Sequence, residues 1–243
     1  MKIERYKYIK SGFYEIKLED RTLILHEDCI TKNKILLKKE LSLEEIEKLE
    51  LEQIFYKLKK EAVDLLNKKL LSKKELKEKL SLICDNKKLN EDIINALCME
   101  GYLSDDKYAL IYIDNFIRFK DDGPIKMKME LKKKGISEED YGKYLELFTE
   151  EIEKEKIKKF ISKKIKQNKN KSSVSFREKL RFDLKNKGFS PNLINILTSN
   201  IYIDDKEIRQ KEEEKLYVKL SRKYSGKELL QKVKEKMYQK GFR

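Results

Sequence analysis

The chain has 243 residues, of which 42% are charged and 39% hydrophobic, and a formal net charge of +14. That much apolar material supplies helices with one buried stripe each, but little for a thick, layered core. Two prolines, eight glycines and no tryptophan suit long helices joined by short turns and argue against a strand-rich fold.

No apolar run approaches the roughly 18–20 residues that span a bilayer, and the N-terminus lacks the apolar core of a signal peptide. A cytoplasmic protein with no membrane association is therefore expected. The three cysteines, Cys29, Cys84 and Cys98, are widely spaced in apolar surroundings, which fits reduced structural thiols. Fifty of the 58 basic residues are lysine, so part of the charge reflects composition. Its placement is more informative. Lys154 to Lys187 holds fourteen basic and three acidic residues, which is +11 of the +14. Such a localised footprint attracts polyanions or acidic protein surfaces.

In chain order, the first thirty residues carry short aromatic and β-branched runs broken at Ser11-Gly12 and Glu19-Asp20-Arg21, and read as two or three antiparallel strands. The period then changes. Ser42-Leu43-Glu44-Glu45 is a capping box opening a helix whose apolar spacing continues through Leu66. The remainder parses into three-helix units, giving a mainly α fold: elongated tandem repeats behind a small N-terminal antiparallel β element. The expected divisions are 1–50 for the N-terminal extension and lead-in helix, 51–103, 104–149 and 150–203 for repeats 1 to 3, and 204–243 for a partial fourth.

Middle helices are expected to begin at Ser72, at Gly123-Pro124, near Ser172 and at Ser225. Each carries an i, i+4 apolar pair: Leu76/Leu80, Met127/Leu131, Leu180/Leu184 and Val233/Met237. Gly135, Gly188 and Gly241 follow at intervals of 53 residues, a fixed period that marks stacked structural units. These glycines are expected to be left-handed helix stops with no contact role, because glycine has no Cβ to clash. Third helices are expected to start at Asn90, Ser137 and Ser190. The acidic pairs Asp105-Asp106 and Asp204-Asp205 open the next units, with Asp105 and Asp204 as helix caps. No histidine or third carboxylate recurs with them, so no metal site is expected.

Laid on the 53-residue period, three basic rows keep step: Lys126/Lys179/Lys232, Lys128/Arg181/Lys234, and Lys134/Lys187/Lys240. These rows are either solvated positions beside an apolar stripe or a repeated contact surface. Only eight arginines occur in the chain, so Arg177 and Arg181 in the most basic segment stand out, joined there by Lys185. Phe176 and Phe182 alternate with them and are expected to pack in the core.

The stretch Tyr102-Leu103-Ser104-Asp105-Asp106-Lys107-Tyr108-Ala109, then an amphipathic helix, then Gly123-Pro124 running to Leu131-Lys132-Lys133-Lys134-Gly135-Ile136, resembles the second-repeat signature of the RecX family, bacterial regulators of the RecA recombinase. The resemblance covers about residues 55–243. The N-terminal strands resemble the extension of longer members, and the partial fourth unit also fits them. The first repeat departs, with Leu70-Leu71-Ser72 where an Arg-Ser pair is typical.

The resemblance implies a binding protein without catalysis, whose partner is the RecA filament on single-stranded DNA; a monomer without cofactor is expected. It further implies restraint of RecA's ATPase, recombinase and SOS coprotease activities. On that reading Lys126, Lys128, Lys134, Arg177, Lys179, Arg181, Lys185, Lys187, Lys232 and Lys234 are the candidate contacts to RecA or DNA phosphate. A general nucleic-acid-binding helical repeat protein is the alternative class. Enzyme motifs are missing: His26 is the sole histidine, and neither Gly-x-x-x-x-Gly-Lys nor Gly-x-Gly-x-x-Gly occurs.

Overall fold

A computed structural model describes residues 1–168 and 170–242. Twelve α-helices follow a three-stranded antiparallel sheet among these residues, and the chain divides into two compact units, Met1–Tyr108 and Ala109–Arg243.

In the first unit, β1 (Ile3–Lys10), β2 (Phe13–Leu18) and β3 (Thr22–His26) form a meander in that order. Tyr6 stands opposite Ile16, which stands opposite Leu23. Alternation puts Ile16, Leu18, Leu23 and Leu25 on the buried face, packed with Cys29 and Ile30 of α1 (Glu27–Lys32) and Ile46 and Leu49 of α2 (Leu43–Lys68). His26 ends β3 and caps α1, its Nδ1 accepting from the Asp28 amide at 3.2 Å.

Helix α2 runs continuously across the expected boundary at residue 50. Its first turns cover the sheet, while Leu58 and Ala62 pack on α3 (Lys73–Ile83) and α4 (Lys87–Met99). Full capping boxes at Ser42/Glu45 and Ser72/Glu75 start α2 and α3. The third-helix start differs from expectation. Asn86 caps α4, accepting from the Leu89 amide, and Asn90 lies one turn in, fully buried with its amide donating to the Cys84 carbonyl. Helix α3 ends on an extended Cys84, and Asn90 holds the glycine-free loop that follows.

Helix α5 (Asp105–Phe119) crosses the division between the units, and Ser104 Oγ accepts from the Lys107 amide at its start. Asp105 caps a different helix from the one expected. It is buried in the first unit, and its Oδ1 accepts from the Lys73 amide at the start of α3 (2.8 Å). The same device recurs 100 residues on, where Asp205 Oδ2 accepts from the Ser173 amide at the start of α9 (Ser173–Asn186) at 2.6 Å. Asp204 serves its own helix, α11 (Lys206–Leu220), through the Lys206 amide. At α3 and α9 one N-terminal amide thus receives a carboxylate from the start of the following repeat.

In the second unit, α6 (Pro124–Lys133) is followed by a short α7 (Glu138–Tyr141) that tightens into a 3₁₀ turn over Gly142–Leu147. Then come α8 (Glu150–Lys166), α9, α10 (Pro191–Ser199), α11 and α12 (Gly226–Gln239). Gly135, Gly188 and Gly241 have φ of +80°, +76° and +80°. The apolar residue after each donates its amide five residues back: Ile136 to Leu131, Phe189 to Leu184 and Phe242 to Met237. All three of these apolar residues are buried.

Two of these helix stops are also tightly packed within the fold. A Cβ on Gly188 would lie 2.4 Å from the Lys126 backbone nitrogen, and one on Gly241 would lie 2.7 Å from Ser172 Oγ. The turn closing the middle helix of one repeat sits on the N-terminus of the middle helix before it. There the Gly123 amide donates to the Lys187 carbonyl (2.7 Å) and the Ile125 amide to the Gly188 carbonyl (3.0 Å). Pro124 between them has no amide to satisfy. Gly123 is required by close approach, since a Cβ would meet the Gly188 carbonyl oxygen at 2.3 Å. At the next junction Ser172 Oγ donates to the Lys240 carbonyl at 2.7 Å.

Candidate docking surface

The middle helices α6, α9 and α12 bury Met127/Leu131, Leu180/Leu184 and Val233/Met237, so residues flanking those positions face outward. The three basic rows have distinct environments. Lys126, Lys179 and Lys232 pair along their own chain with Asp122, Asp183 and Glu235, at 2.8, 2.8 and 3.0 Å. Pairs this exposed are worth about 0–1 kcal/mol, so they orient the amines without removing them from a partner's reach.

The row at the helix C-termini is tied into the fold. Lys187 Nζ donates to Asp122 Oδ1 at 2.8 Å and to the Asp121 carbonyl at 3.0 Å, and Lys240 pairs with Glu212. Lys134 lies 5.8 Å from the centre of the Tyr112 ring. A cation at a helix C-terminus also complements the macrodipole. Burial alone would raise the Asp122 carboxyl, but hydrogen bonds from Lys126 and Lys187 outweigh that and hold it below its ordinary value. Lys187 is therefore a strut between repeats before it is anything else.

The remaining row is the open one. Lys128 and Lys234, together with Lys185, have no hydrogen-bond or ion-pair partner among the described residues. Arg181 between them is exposed but engaged: its Nε donates to Thr198 Oγ1 at 2.8 Å, and Arg177 reaches the Ser199 carbonyl at 3.4 Å. Both arginines thus reach the last turn of α10, Arg177 at a backbone carbonyl and Arg181 at a side-chain hydroxyl.

Phe176 is buried as expected, but Phe182 is 58% exposed, with the Lys179 ammonium 5.0 Å from its ring centre. The signal was present in the spacing: Phe182 lies two residues from both Leu180 and Leu184, about 200° around the helix. The α9 face thus presents Lys179, Arg181, Phe182 and Lys185 together, with an aromatic surface inside a basic frame.

Among the described residues no group of three His, Cys, Asp or Glu side chains could hold a metal ion, and no helix is long and apolar enough to cross a membrane. All three cysteines are free thiols. Burial first, and then the neighbouring Glu52 charge, push the Cys29 thiol up to about 11, far from the range of a reactive cysteine.

Three-helix repeats with interlocked middle helices, a small N-terminal sheet and a basic helical face define a helical-repeat protein. Residues 104–143 match the family model described as RecX, second three-helix domain. The chain is 30% identical over 209 residues to the regulatory protein RecX of Oceanobacillus iheyensis, spanning 84% of this chain and 76% of that one. It is 28% identical over 185 residues to regulatory protein RecX of Bacillus subtilis, spanning 74% and 70%. The chain belongs to the RecX family of regulatory proteins. Its fold matches a crystal structure of a regulatory protein RecX with a TM-score of 0.73 at 23% identity, over 82% of this chain and 100% of that one. RecX from Lactobacillus salivarius matches with a TM-score of 0.55 at 27% identity, over 60% and 94%.

Proposed function

We propose that this protein is a non-enzymatic regulator that docks its basic helical face on the RecA filament assembled on single-stranded DNA. There it restrains RecA's ATP hydrolysis, strand exchange and SOS coprotease activity. The observation that carries the reading is three amines without a partner among the described residues, Lys128, Lys185 and Lys234, one on each of the successive middle helices α6, α9 and α12, where a repeating partner offers recurring contacts. Ammonium groups without an internal partner add binding energy on docking without first breaking an ion pair.

The test adds purified protein to preformed RecA filaments and follows ATP hydrolysis. Substoichiometric protein is expected to suppress turnover, and Lys128→Glu, Lys185→Glu and Lys234→Glu combined to abolish suppression while the circular dichroism spectrum is unchanged. Lys187 is excluded from that set because reversing it would break its ion pair with Asp122. Full suppression by the triple variant sinks the assignment of this face.

A second reading, a general single-stranded nucleic-acid binder, is favoured by exposed Phe182, because an aromatic ring framed by cations is a stacking platform for a base. It predicts tight binding to naked oligonucleotide with RecA turnover unaffected at low stoichiometry. Phe182→Ala then weakens oligonucleotide binding by about 1–3 kcal/mol.

A further inference from the structure

One face of α8 is unlike the rest of the surface. Lys156, Lys159, Phe160, Lys163 and Lys164 recur at i, i+3, i+4, i+7 and i+8, so they share one side of the helix. Lys187 completes the wall from the C-terminus of α9, and the group encloses a concave space of about 190 Å³. At about 30 Å³ per water this holds roughly six waters, ample for a phosphate group or a diphosphate.

The floor is the Phe160 ring, with the Lys164 and Lys187 ammonium groups 5.4 and 5.5 Å from its centre. Lys156 is fixed by donating to the Ile117 and Lys120 carbonyls at 2.7 and 2.6 Å, at the C-terminus of α5. Lys159 and Lys163 have no hydrogen-bond or ion-pair partner among the described residues. Asp121 is the one carboxylate in the lining, facing five lysines. Desolvation pushes the Lys156 amine below its ordinary value; the Asp121 and Asp122 charges oppose that and the Lys159 charge adds to it. The pocket gathers five ammonium groups around one lining carboxylate, an excess of positive charge that an anion would complement.

We propose that this pocket is a binding site for a phosphate-class anion, with Lys159 and Lys163 as the principal ligands and Lys156, Lys164 and Lys187 as a preorganised frame. Two ligand sources share this chemistry: a free diphosphate-bearing compound and a backbone phosphate of a nucleic acid. The site lies off the α9 residues Lys179, Phe182 and Lys185, and it does not rest on the filament reading.

The experiment titrates the full chain with sodium pyrophosphate by calorimetry at fixed ionic strength. One saturable site is expected. Lys159→Gln with Lys163→Gln should weaken it tenfold or more, the Lys159→Arg, Lys163→Arg pair should retain it, and Lys48→Gln with Lys88→Gln, exposed on α2 and α4, should stay within twofold. Competition by a short oligothymidylate assigns the site to backbone phosphate, and indifference to it assigns the site to a free phosphate compound. Absence of saturable binding, or equal weakening by the two glutamine pairs, overturns the proposal, since either leaves only diffuse attraction to a basic protein. All substitutions are at lysines on the helical surface, and matched thermal melts confirm that the fold is intact.

Discussion

Asp122 shows how one side chain can hold two repeats in register. It accepts from Lys126 on the helix that it precedes and from Lys187 on the next repeat, and its carboxyl sits below its ordinary value. A depressed folded-state value means that the stabilisation is complete above the unfolded-state value of about 4 and is lost as pH falls through the folded one. The stability gap between the protein and its Asp122→Asn variant should therefore be widest near neutral pH and close toward pH 3 in a urea-unfolding series. A constant gap across that range would remove the charge from the account. Arg181 carries a different lesson. Its Nε is held by Thr198 Oγ1 while the residue stays exposed, so one bond within the fold orients a guanidinium that keeps further N–H donors.

At the scale of elements, the repeat joint is a glycine turn set on a helix N-terminus. Gly101 and Gly188 have nearly the same φ, +77° and +76°, but a Cβ on Gly101 would meet nothing within 4 Å, whereas one on Gly188 would press on the Lys126 backbone. Gly101→Ala should then cost about 1–2 kcal/mol for the left-handed conformation alone. Gly188→Ala should cost clearly more, about 3 kcal/mol or above, as packed backbone is forced apart. Paired chemical denaturation curves decide it, and equal losses would show that the joint yields freely. Helix starts, apolar pairs and the left-handed glycines were legible because they obey local rules of period and capping. What these ends touch was not, since Asp105 and Asp205 each cap a helix that begins 32 residues earlier. Nothing within a window of one helix records that partnership.

Taken as a whole chain, the charge of +14 divides into amines used by the fold and amines left open. That division sets how binding to a polyanion responds to salt. Affinity for a single-stranded oligonucleotide should fall with salt concentration on a log–log plot. Each phosphate neutralised on a single strand adds about 0.7 to the slope, so reversing Lys128, Lys185 and Lys234 together should flatten it by about 2. An unchanged slope would place the phosphate-binding amines elsewhere on the molecule.

The sequence by itself determined the mainly helical class, an N-terminal element of two or three strands, the 53-residue repeat and the location of the charge, because period, capping and composition are properties of neighbouring residues. Only the tertiary structure decided which lysines are struts and which are open, why Gly123 precedes Pro124, that Phe182 stands exposed, and that five lysines close on one pocket. Those facts depend on distances between residues far apart in the chain. Side chains of the same type separate into roles only when packing brings some of them to a carbonyl, a carboxylate or a ring and leaves the others in water.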